Sequence, residues 1–136
     1  MVEVWGALGS RASILMDLDG DGDLDIVTNE FNGPPLVLVS DLSERRAVRY
    51  LEIVLEGTKS NRDGLGAVVA VSAGGRTMTQ VHDGKSGYLS QSLLPLYFGL
   101  DAAEAVDQIE VRWPSGALQT LAGPLAANWR IAITEP

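Results

Sequence analysis

An all-β fold, either an antiparallel sandwich or a partly open barrel, follows from three features of the 136-residue sequence. Apolar side chains recur with period two, Gly- and Pro-rich turns divide the periodic runs at short intervals, and almost no stretch carries a helical repeat.

The individual runs bear this out in chain order. "ASILM" (12–16) and "DIVTN" (25–29) read as strands on either side of an acidic loop. "LVLV" (36–39) and "AVVAV" (67–71) are continuous apolar runs, which predicts strands covered on both faces. In "YLEIVLE" Leu51, Ile53 and Leu55 share one face while Glu52 and Glu56 take the other. "VDQIEVRW" sets Ile109, Val111 and Trp113 against Gln108, Glu110 and Arg112, and "NWRIAIT" sets Trp129, Ile131 and Ile133 against Asn128, Arg130 and Thr134. Both tryptophans therefore belong to the expected core. Gly74-Gly75 and Pro114-Ser115-Gly116 read as hairpin turns. One short helical turn is expected over "AAEAV", opened by Asp101 with Glu104 in a capping box.

Composition narrows the setting. The chain is long enough for a core without staples, and it has no cysteine, so thiol redox chemistry and thiolate metal sites are excluded. A net charge of −8 with ten dispersed cations argues against nucleic acid or an anionic membrane as partner. No apolar run approaches the ~20 residues of a membrane span, and no signal peptide is visible in residues 1–15.

The acidity is concentrated. "DLDGDGDLD" (17–25) holds five aspartates and two glycines, and without those five acids the balance would be −3. Asp17, Asp19, Asp21 and Asp25 stand at loop positions 1, 3, 5 and 9, and Asp23 at position 7 can offer its backbone carbonyl. In a tightly wound loop, alternate side chains converge, and Gly20 and Gly22 allow the winding. An all-oxygen set of this size suits Ca²⁺, suits zinc poorly, and suits magnesium less because that ion keeps its waters. Thr28 stands where an EF-hand loop places its bidentate Glu, and the flanks are strands. Asp25 is therefore the expected last carboxylate, with an affinity on the order of 10⁻⁴ to 10⁻⁵ M. The plainer alternative is a hydrated Asp/Gly bend held by Asx-type hydrogen bonds.

These residues carry a resemblance. "DLDGDGDLDIVTNEFNGPPLVLV" resembles a single FG-GAP/VCBS-type repeat, the blade unit of calcium-binding β-propellers. Residues of about 50 to 134 resemble the ASPIC/UnbV domain through "SNRDGLGAVVAV" (60–71), "SGYLSQS" (86–92), "FGL" (98–100) and "VRWPSG" (111–116). The resemblance implies a propeller-blade-like hairpin over 1–42, an ASPIC/UnbV-like β domain over 43–136, and an extracellular or periplasmic binding or adhesion module with no established catalytic apparatus. It carries metal ligation to Asp17, Asp19, Asp21 and Asp25. A propeller needs several blades, so the expectation for this single repeat is one of three: the hairpin folds back onto the UnbV-like sheet, it pairs with another chain to give a homo-oligomer through its exposed strand edge, or the chain is the tail of a longer propeller.

Other stretches read two ways. Tyr88, Ser90 and Gln91 supply a ring, a hydroxyl and an amide, a set that suits a lip for a carbohydrate or protein ligand and equally suits loop packing. In Asn61–Gly66, Asp63-Gly64 reads as a turn and Gly66 as a close backbone approach. Catalysis finds little support. His82 is the only histidine and Asp83 beside it points to the opposite face; "GKS" (84–86) lacks the leading glycine of a phosphate loop, with Thr79 in its place. The expectation is a calcium-stabilised, non-catalytic binding or scaffolding module. The alternatives are a carbohydrate-active enzyme (a glycoside hydrolase) or its accessory domain with structural calcium, and a structural oligomerisation domain.

Overall fold

A computed structural model describes residues 9–136. Residues 1–8, the beginning of the segment expected over 1–42, lie outside the described residues. The chain divides into two compact units. One extends to Arg46 and also takes in Lys85–Ser92; the other comprises Ala47–Gly84 and Leu93–Pro136.

The first unit is a three-stranded antiparallel sheet in the order β1-β2-β3, formed by β1 (Ser10–Met16), β2 (Asp25–Glu30) and β3 (Leu36–Leu38), and followed by a four-residue helix, α1 (Leu42–Arg45). Met16 pairs with Asp25, so the acidic loop closes a hairpin whose register runs back to Ser10 opposite Glu30. Lys85–Ser92 lies along β1, where Gly87 bridges Ala12 and the Tyr88 N–H donates to the Arg11 carbonyl at 3.1 Å. Among the described residues of this unit no hydrophobic side chain is buried. The double covering expected of "LVLV" is corrected here, because Val37 and Val39 are exposed. Three short strands supply no second layer of their own to cover those side chains.

The second unit is a two-sheet sandwich. Its strands are β4 (Tyr50–Glu56), β5 (Val68–Ala73), β6 (Arg76–Val81), β7 (Leu96–Gly99), β8 (Ala105–Arg112), β9 (Leu118–Ala126) and β10 (Trp129–Thr134). One sheet has the order β10-β4-β7 and the other β6-β5-β8-β9. Every ladder is antiparallel except that between β10 and β4, where Ile131 sits opposite Ile53 in parallel. The expected periodicity becomes the core: Leu51, Ile53 and Leu55 of β4, Val69 and Val71 of β5, Phe98 of β7, Ile109 and Val111 of β8, and Trp113 form one buried cluster. Alternation puts these residues on the inner faces, and burying them supplies the main driving force for folding.

The expected turns are present. Ala73 pairs with Arg76 across Gly74-Gly75, whose φ angles of +55° and +75° suit a two-residue hairpin. Arg112 pairs with Leu118 across the Pro114-Ser115-Gly116 turn. Two expectations are corrected. The helical turn over 101–107 is absent: Asp101 has φ +54°, and β8 already begins at Ala105, paired with Ala126. One turn returns too few hydrogen bonds to offset nucleation, and the strand pairing wins. Trp129 is 62% exposed, although it shares its face with Ile131 and Ile133. Its phase is the one expected, but it begins an edge strand and the covering layer does not extend over it.

Candidate functional site

The acidic loop is wound by its own backbone. Asp17 accepts hydrogen bonds from the N–H groups of Gly20 (2.7 Å), Asp21 (3.1 Å) and Gly22 (3.0 Å), and Asp21 accepts one from Asp23 N–H at 3.0 Å. Gly20 and Gly22 take φ of +82° and +94°, which the winding requires. As a result the carboxylates of Asp17, Asp19 and Asp21 converge, each offering an oxygen within 4.8 Å of the others. Asp17 is half-buried, while Asp19 and Asp21 face solvent.

Asp23 and Asp25 lie outside that trio and inside the protein. Both oxygens of Asp25 are engaged by backbone, accepting from Leu18 N–H and Ser40 N–H at 2.8 Å each, so this side chain ties the loop to the segment after β3. Asp23 is fully buried. Its Oδ2 accepts from Ser43 N–H at 2.8 Å, and its Oδ1 has no hydrogen-bond partner among the described residues. Ser43 also donates its hydroxyl to Asp21, a link no sequence spacing announces.

Electrostatics follow the geometry. The Asp19 carboxyl is raised above its ordinary range by desolvation and by the charges of Asp21, Asp25 and Asp17, against one backbone hydrogen bond that lowers it. The Asp21 carboxyl is lowered, first by the Ser43 hydroxyl and then by the Asp23 N–H. Three converging carboxylates, one of which resists ionisation, form an oxygen-only donor set. Its chemistry fits a hard divalent cation completing its shell with water or backbone oxygen.

In the same unit, a cleft of about 360 Å³ is lined by residues of β1 and β2 together with Pro35, Ser86, Ser90 and Gln91. Ser90 and Gln91 thus sit at a concave surface, while Tyr88 is 62% exposed beside Arg11, outside the cleft lining.

The second unit contains a buried carboxylate that the sequence did not flag. Glu135 is 3% exposed and accepts from the N–H groups of Thr58 (2.9 Å), Lys59 (2.7 Å) and Ser60 (2.7 Å), and from the hydroxyls of Ser60 (2.8 Å) and Ser115. Burial alone would raise its pKa; the hydrogen bonds from Ser115, Ser60 and Lys59 outweigh it and hold the carboxyl well below the glutamate range. It joins the loop after β4 to the Pro114-Ser115-Gly116 turn. The only histidine, His82, is buried and lines a cavity of about 70 Å³ together with Asp63 and Leu55.

An all-β chain with a two-sheet sandwich and a strand-flanked acidic loop is the class these features define. The chain belongs to the ASPIC and UnbV family, whose model matches residues 57–136. That match starts slightly later than the resemblance at about residue 50, and it leaves the acidic loop outside. No curated protein is similar enough to count as a match. Among the described residues, no helix is long and apolar enough to cross a membrane.

Proposed function

We propose that this chain is a calcium-binding, non-catalytic binding or scaffolding module, in which the ion organises the loop over 17–25 and takes no part in chemistry. The observation that carries the reading is the convergence of Asp17, Asp19 and Asp21 within 4.8 Å, in a loop whose resemblance is to an FG-GAP/VCBS-type repeat. The buried, unpartnered Oδ1 of Asp23 adds support, because such an atom is costly until something positive or protic reaches it. Asp25 then acts by tying the loop in place. An extracellular or periplasmic location accords with this reading, since free calcium there reaches the affinity range such a loop offers.

Isothermal titration of the chelator-stripped protein with calcium tests it. Saturable uptake is expected, together with a rise in melting temperature; at about 100 times the dissociation constant, linkage adds roughly 2.7 kcal/mol. An Asp19→Asn, Asp21→Asn variant should show neither effect. Absence of uptake at millimolar calcium would overturn the assignment.

One observation favours a second reading, a structural oligomerisation domain. Leu15 and Ile26 of the first unit are exposed and sit opposite each other on one face, a pattern suited to another sheet. Sedimentation of the intact chain with and without chelator separates the two, since a calcium-independent oligomer supports the second.

A further inference from the structure

The two sheets of the second unit end in four edge strands, and three of these carry a device against further pairing. β7 is four residues long, and its Tyr97 carbonyl already accepts from the Gln80 side-chain amide at 2.6 Å. β9 contains Pro124, and its ladder slips register between Val106 and Gln108. β10 has its Thr134 carbonyl taken by the Gln119 side-chain amide at 3.2 Å. β6 is different. Its six residues, "RTMTQV", pair with β5 in unbroken register and include no proline, lysine or carboxylate, the residues by which edge strands exclude a neighbour.

The backbone polarity of β6 follows from its turn. A two-residue hairpin makes the flanking Ala73–Arg76 pair hydrogen-bonded, so the bonded positions continue as Met78 opposite Val71 and Gln80 opposite Val69. The N–H and C=O groups of the intervening Thr77 and Thr79 therefore point away from β5, and none of them forms another backbone bond among the described residues. The side chains of Thr77, Thr79 and Val81 are exposed on the outer face.

A strand that pairs antiparallel with its own copy must match its own reverse, and β6 does. About a two-fold axis at Thr79, Thr79 of one copy lies opposite Thr79 of the other and Thr77 lies opposite Val81, so every outer-face pair is β-branched. The outward groups of Thr79 then meet as a hydrogen-bonded pair. Arg76, whose ion pair to Asp101 at 3.6 Å is exposed, opens the strand, and exposed Asp83 follows its end. The same register carries each arginine to the end where the other copy has that aspartate. Neither cleft described above takes a lining residue from β6, so neither would read the side chains of a foreign peptide added there. We propose that β6 is a homodimerisation edge: two copies join β6 to β6 antiparallel about Thr79, and two four-stranded sheets become one continuous sheet. This edge belongs to the second unit, whereas the face carrying Leu15 and Ile26 belongs to the first.

Sedimentation equilibrium of the whole chain, with chelator present, tests the proposal. A monomer–dimer equilibrium that moves toward dimer as concentration rises to the millimolar range is expected. Thr79→Lys sets two ammonium groups across the axis and should weaken dimerisation about tenfold or more, with no fall in melting temperature at dilution. Because the chain has no cysteine, Thr79→Cys should form an intermolecular disulfide under mild oxidation, the paired Cα atoms standing about 5.5 Å apart. Thr120→Cys, on the β9 edge, should not. Leu15→Ser, Ile26→Ser should dimerise like wild type, which separates this edge from the apolar face of the first unit. A chain monomeric throughout, as an edge reserved for a foreign strand would leave it, overturns the proposal. So do undiminished dimerisation of Thr79→Lys, equal crosslinking of the two cysteine variants, and loss of the dimer in Leu15→Ser, Ile26→Ser.

Discussion

Two glycines of the sandwich share a left-handed backbone and differ in what surrounds them, so alanine at each separates conformational strain from packing. Gly75, at φ +75°, tips the β5–β6 hairpin with no heavy atom within 4 Å of where a Cβ would stand. Gly64, at φ +66°, would place that carbon 2.8 Å from Leu55 Cβ and 3.3 Å from Trp113 Cζ3. Holding an L-residue in this region costs about 1–2 kcal/mol. Alanine recovers about 0.4–1 kcal/mol by restricting the unfolded chain. Gly75→Ala should therefore lose about 1 kcal/mol. Gly64→Ala carries the same term plus an overpacking cost of about 1–3 kcal/mol, because Leu55 and Trp113 are both buried and cannot yield freely. For a unit of roughly 80 residues, each kcal/mol moves the melting temperature by about 4–8 °C. Thermal unfolding followed by circular dichroism should show Gly64→Ala melting well below Gly75→Ala. Equal losses in the two variants would refute the claim that close packing against Leu55 and Trp113 governs position 64.

Further outcomes follow from the same contacts. The Glu135 carboxyl is held below its unfolded range, so its stabilisation is complete above the unfolded pKa of about 4.3 and is lost as pH falls toward the folded value. The gap in melting temperature between wild type and Glu135→Gln should accordingly be widest at pH 7 and narrow by pH 3; a gap independent of pH would contradict this. Trp113→Ala should cost about 3–5 kcal/mol in urea unfolding, since the ring is 2% exposed within the core. Trp129→Ala, at a site 62% exposed, should stay within about 0.5 kcal/mol of wild type, and a loss like that of Trp113 would mean the ring is covered in solution.

The sandwich was largely legible in the sequence because period-two alternation and turn chemistry are local signals. Leu51, Ile53 and Leu55 alternate with acids and do become buried, and Gly74-Gly75 and Pro114-Ser115-Gly116 do turn the chain. Two errors share a cause. Period-two alternation sets the phase of Trp129 but not its depth at a sheet edge, and the helix suggested by "AAEAV" is denied by pairing with β9. Asp63-Gly64 does turn the chain, with the Gly64 N–H donating to the Asn61 carbonyl at 2.9 Å, yet it is Gly64 that lies closest beneath a neighbouring side chain, with Gly66 only in ordinary contact with Pro114.

For the candidate sites the division is sharper. Sequence spacing alone determined that Asp17, Asp19 and Asp21 converge, because alternate residues in a glycine-wound loop turn toward one centre over a span the backbone controls locally. Only the tertiary structure decided that Asp25 staples the loop to Ser40, that Ser43 caps Asp21 and Asp23, that Lys85–Ser92 joins β1 to place Tyr88 over Arg11, and that Glu135 gathers Thr58, Ser60 and Ser115. Those partners are separated by 15 to 77 residues along the chain, and no local pattern encodes a contact that exists only once distant strands have packed.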